Sequence, residues 1–62
     1  MDLPKCKLTD VDGNVYAIIG AVSKALTRAK QPEKAAEFRK EAMNSGSYDE
    51  VLQLCFRYVD VE

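Results

Sequence analysis

Polar and apolar side chains alternate over Lys5-Cys6-Lys7-Leu8-Thr9 and again over Tyr58-Val59-Asp60-Val61-Glu62. A period of two is the signature of a half-buried strand, and Pro4 suits the start of an edge strand. Between these ends the period lengthens. Val15, Ile18, Ile19, Val22, Leu26 and Ala29 recur at helical spacing, with Lys24 and Arg28 on the opposite side, which predicts an amphipathic helix ending near Lys30.

Punctuation along the chain divides the rest. Asp10-Val11-Asp12-Gly13-Asn14 is turn chemistry, because Asp-Gly tolerates the positive φ of a tight turn. Asn14 stands where an N-cap side chain would accept an orphan amide. Gln31-Pro32 breaks the first helix, and Pro32 with Glu33 suits the first turn of a second, predicted over Pro32 to Met43. Ala35, Phe38 and Ala42 give it a narrow apolar stripe. Asn44-Ser45-Gly46 predicts its stop, with Gly46 as a left-handed cap.

Ser47-Tyr48-Asp49-Glu50 has the spacing of a capping box. The third helix, predicted over Tyr48 to Arg57, carries Val51, Leu52, Leu54, Cys55, Phe56 and Tyr58 around most of its circumference. Such a helix is either central or has a partner on a second side. The two alternating ends complement each other: Cys6 and Leu8 would face inward with Val59 and Val61, and Lys5 and Lys7 outward near Asp60 and Glu62. The expected fold is α+β and predominantly helical. Three short helices and a small two-stranded sheet from the chain termini (β-α-α-α-β) form one domain over residues 1–62, and strand direction is left open. The alternative is a three-helix bundle with frayed termini. Both edges of a two-stranded sheet are open to another strand.

Length limits how firmly this holds, since a chain of 62 residues buries only about 60% of its unfolded surface. That makes self-association a natural expectation. The longest apolar run, Val15 to Val22, is eight residues, against about 20 needed to cross a bilayer. With no secretion signal in view, the expectation is a cytoplasmic protein without a membrane partner.

Chemistry is sparse. Asp10 and Asp12 begin like a calcium loop, but Val15 and Ala21 stand where the loop glycine and the bidentate glutamate belong. Two cysteines without any histidine fall short of a tetrahedral zinc site, and neither thiol has an activating base in sequence. The favoured reading is two buried reduced thiols. No catalytic residue, metal ligand or cofactor is expected, and the chain is short for enclosing a typical pocket of about 300 Å³.

Net charge is −1 from nine basic and ten acidic residues, which excludes indiscriminate coating of nucleic acid. Basic residues still concentrate mid-chain. Lys24, Arg28, Lys34 and Arg39 are the candidate nucleic-acid contacts, although the acidic start and apolar body of the third helix do not suit a recognition helix. Gly20 costs a helix interior about 1 kcal/mol against alanine, so something should approach it closely, and another element of the same domain is the favoured explanation. The flank carrying Tyr16, Ala17, Gly20, Ala21, Lys24 and Arg28 is the candidate interaction surface.

The segments Lys5-Cys6-Lys7-Leu8-Thr9, Asp12-Gly13-Asn14-Val15-Tyr16, Gly20 with Val22-Ser23 and Ala25-Leu26, Tyr48-Asp49 and Tyr58-Val59-Asp60-Val61-Glu62 resemble a family of small uncharacterised bacterial proteins. Some of these are encoded near mobile genetic elements. The resemblance implies a bacterial, cytoplasmic, self-contained domain and a setting beside nucleic-acid machinery. It brings no activity, ligand or catalytic residue. The residues lead to one expectation: a non-enzymatic module that binds another protein or itself (as a homodimer), the alternative being a weak nucleic-acid-binding accessory protein.

Overall fold

The computed structural model describes residues 3–8 and 14–62. Its elements run β1 (Lys5–Cys6), α1 (Val15–Arg28), α2 (Pro32–Met43), α3 (Tyr48–Tyr58) and β2 (Asp60–Val61), in the order expected. The predicted Asp10–Gly13 turn and the Thr9 end of the first strand lie outside the described residues.

Local signals explain most boundaries. Asn14 caps α1, its Oδ1 accepting from the Tyr16 amide at 2.8 Å. Ser47 Oγ accepts from the Glu50 amide at 3.3 Å, and the Glu50 carboxylate reaches back to the Gly46 amide at 2.7 Å. This is a capping box extended by one residue. At the end of α2, the Asn44 and Ser45 side chains donate back to the carbonyls of Lys40 and Glu41.

Two boundaries differ from expectation. The left-handed cap falls on Lys30 (φ 64°) and not on Gly46. α1 ends two residues early, and the Lys30 and Gln31 amides donate to Thr27 O and Leu26 O at 3.0 and 2.9 Å, the paired bonds of a Schellman cap. The α2 terminus, closed by side chains, has no such requirement. The second difference is Tyr58, read from sequence as part of the last strand. It ends α3 instead, because its ring lies on the inward face, one turn beyond Leu54.

That ring meets Phe38 edge-on, with centroids 5.4 Å apart at 67°, a favoured aromatic geometry. Phe38, Leu26, Val22, Cys55 and Val59 are the largest fully buried side chains. Phe38 on the narrow stripe of α2 is thus the centre onto which α1 and α3 close. Ser23 is buried as well, and its hydroxyl has no hydrogen-bond partner among the described residues.

The strands pair in parallel, Lys5 with Asp60 and Cys6 with Val61. The Asp60 amide donates to Pro4 O at 2.8 Å, and the Glu62 amide to Cys6 O at 2.9 Å. Beyond the two-residue strand, the Leu8 amide still reaches Glu62 O at 3.4 Å. Cys6 and Val59 are buried while Leu8 and Val61 pack half-buried against the core. Lys5 Nζ lies 3.8 Å from Glu62 Oε1, as the alternating charges predict. The inward set is right, over fewer paired residues than the alternation suggested.

Two predictions follow from these contacts. Lys30→Gly relieves a left-handed side chain and leaves both cap bonds in place, so it should stabilise the fold by about 1 kcal/mol. The readout is a higher urea midpoint at unchanged slope. The second concerns alkaline pH. Burial, and then the hydrogen bond donated to Glu37 Oε1 at 3.0 Å with the charges of Glu37 and Glu41, push the Tyr58 hydroxyl up to about 12. A raised folded pKa means the folded state holds its proton longer. The associated stability is therefore complete below pH 10 and lost as pH rises towards 12. Tyr58→Phe should flatten this limb of the stability curve and remove the tyrosinate absorbance that appears near pH 12.

Candidate functional site

At about 100° per residue, α1 has two working faces. Ile18, Ile19, Val22 and Leu26 enter the core, while Ala17, Gly20, Ala21, Lys24 and Arg28 share the opposite side. β1 packs on α1 and leaves a groove of about 530 Å³ beside it. Ala17, Gly20, Ala21 and Ala25 form its helical floor, and Cys6 belongs to the strand wall. Lys5 and Lys7 from β1 and its exit, with Lys24 and Arg28 from α1, supply the charge. No residue of β2 lines it, so the groove opens on the side of β1 that β2 leaves uncovered.

Among the described residues, no carboxylate lines it. Lys5 has its exposed pair with Glu62, and Lys7 is also engaged. Lys24 and Arg28 have no hydrogen bond or ion pair among the described residues. A chain of net charge −1 thus gathers four cations along one concavity.

The thiols are unsuited to nucleophilic work at neutral pH. Burial pushes the Cys6 thiol up, against a smaller downward pull from Arg28. Burial, and then the neighbouring Cys6, push Cys55 up to about 11, a backbone hydrogen bond acting the other way. Both are free and buried, and a protonated thiol is a poor nucleophile. Among the described residues, no three of His, Cys, Asp or Glu gather as a metal ion requires. No helix of the described chain is long and apolar enough to cross a membrane.

Five of the six residues on the predicted interaction flank line this groove; Tyr16 does not. One helical position turns it about 100° away, to a second groove of about 440 Å³ where α1 begins, α2 ends and α3 begins. There Tyr16, Met43 and Tyr48 border Val15, Ile19 and Val51, and Tyr16 and Met43 are 67% and 63% exposed. Both concavities exceed the pocket size doubted on chain length alone, because they lie between elements at the surface and need no enclosing shell. The surplus apolar surface expected on α3 is real at Phe56, 63% exposed.

The predicted nucleic-acid set divides. Lys24 and Arg28 share the basic groove. Lys34 lines a separate concavity with Glu37 and Glu41, and Arg39 lies on the other flank of the Ala35–Phe38–Ala42 stripe of α2. Lys5 and Lys7 take their places, residues that sequence assigned only to the outer face of the sheet.

Gly20 also requires a correction. A Cβ built there meets nothing within 4 Å among the described residues, so no described element of the domain approaches it. The glycine sits in open space on the groove floor.

In comparisons with known proteins, no family model, curated protein or solved structure matches this chain.

Since neither clash nor positive φ requires glycine at position 20, Gly20→Ala should stabilise the fold by about 0.5–1 kcal/mol through helix propensity. Calorimetry should show a rise of several degrees in Tm. An unchanged or lowered Tm would mean that the floor is occupied in the folded protein.

Proposed function

We propose that this chain is a non-enzymatic interaction module that holds another protein in the groove between β1 and α1, its partner presenting an acidic stretch. The observation that carries this reading is charge segregation: among the described residues, Lys5, Lys7, Lys24 and Arg28 line one concavity without a carboxylate, on a chain that is net acidic. Complementary charge of this kind raises association rates and selects partners. Small floor residues let a partner's backbone come close to α1. The buried free thiols Cys6 and Cys55 support a reducing, cytoplasmic setting.

Nucleic acid is the second reading, favoured by the same four cations. Against it, no aromatic side chain lines the groove to stack a base, and Lys34 and Arg39 do not extend the basic surface. The floor is apolar where phosphates would lie.

The test is an amide NMR titration of the labelled protein with a polyglutamate peptide and, separately, with single-stranded RNA and duplex DNA, at 50 and 200 mM salt. We expect shifts at Ala17, Gly20, Lys24 and Arg28 with the acidic peptide, lost in Lys24→Glu/Arg28→Glu. Tighter binding of RNA or DNA with a steep salt slope would transfer the groove to the second reading. Sedimentation across a concentration range separates a foreign partner from a second copy of the chain.

A further inference from the structure

Building on the acidic-partner reading, we infer that the partner segment docks as an added β-strand, laid against the free edge of β1 and over the alanine and glycine floor of α1.

Backbone geometry provides the first support. The bonds to β2 use Pro4 O, Cys6 O and the Leu8 amide. In a strand, successive residues turn their backbone groups to opposite edges, so the Lys5 N–H and C=O point away from β2. The groove opens on that side, since β1 lines it and β2 does not. An unpaired strand edge is a template for another strand, and strand addition takes its affinity from such main-chain bonds.

Space is the second. A strand beside β1 lies about 4.8 Å from it, above the residues of α1 that line the groove. Bulky side chains there would lift it off. The chain has Ala17, Gly20 and Ala21, and among the described residues nothing lies within 4 Å of a Cβ at Gly20. The one residue whose helix propensity is poor thus stands where an added backbone needs room.

The third is chemical, and β2 itself shows it. The strand already paired with β1 reads Asp60-Val61-Glu62, acidic and apolar in alternation, with Glu62 3.8 Å from Lys5. The free side of β1 presents Lys24 and Arg28 across the groove. It therefore suits a segment of the same type, with alternate Asp or Glu towards the cations.

A fluorescein-labelled ten-residue peptide alternating Glu and Val tests this, with three comparison peptides: Lys in place of Glu, alternate amides N-methylated along one edge, and along the other. Anisotropy should show binding of the Glu peptide and at least tenfold weaker binding of the Lys version. One N-methylated version should lose at least tenfold while the other keeps its affinity, because an added strand bonds to β1 through one edge only. Gly20→Leu, which fills open space and leaves the core untouched, should also weaken binding at least tenfold, with an unchanged far-ultraviolet spectrum. If both N-methylated peptides bind as well as the parent, strand addition is wrong and the acidic-partner reading stands. If the Glu peptide fails to bind wild type at 50 mM salt, both are wrong.

Discussion

The pairing of the two chain ends is the constraint on which the rest depends. Two-stranded sheets are marginal by themselves, and this one has only two paired positions. It survives because both strands are fastened to the helices from beneath: Cys6 of β1 and Val59, the residue just before β2, enter the core at 5% and 1% exposure. A parallel pair also requires a long crossover between its strands, here the three helices. Sheet and bundle are therefore mutually dependent. Helices hold the strands side by side, and the strands pack back on the bundle, β1 on α1 and β2 on α3.

Phe38 is the counterpart of this clamp inside the bundle. α2 is polar around most of its surface, with only Ala35, Phe38 and Ala42 buried. So narrow a stripe works because one large ring fills the space that small neighbours leave, and Tyr58 meets it edge-on. Tyr58 then links core to surface, donating its hydroxyl to Glu37. A phenol at this boundary can bury its ring and still reach a charged acceptor. The last residue of α3 consequently fixes α2, and the next residue, Val59, fixes the sheet.

Element order, caps and inward-facing residues were legible because each rests on local chemistry: Asn14 before an apolar period, Ser47 and Glu50 three residues apart, alternation at both ends. What was not legible required knowledge of neighbours. Alternation is the same for parallel and antiparallel pairing, so the edge of β1 facing α1, and with it the place of Lys5 and Lys7 in the groove, was out of reach. Tyr16 was joined to the Gly20 flank by sequence proximity, yet a single helical step sends it to another groove. Lys30 in a left-handed cap breaks a preference for glycine, so it had no signal at all. Gly20 carried a real signal, poor helix propensity, and the wrong cause was attached to it.

Charge placement connects these points. Asp60 and Glu62 lie at the sheet, Glu33, Glu37 and Glu41 occupy α2, and among the described residues none of the acidic side chains lines the groove between β1 and α1. An exposed ion pair such as Lys5–Glu62 contributes little to stability, at most about 1 kcal/mol, and charge on the seam does nothing for the core. Gly20 is worse than neutral there, since alanine would fit and would strengthen α1. A position that weakens its own helix beside Lys24 and Arg28 and an uncovered strand edge is poorly explained by folding. These features are coherent with the proposed docking of an extended acidic chain, which would supply the missing side chain at Gly20 and a countercharge for Lys24 and Arg28.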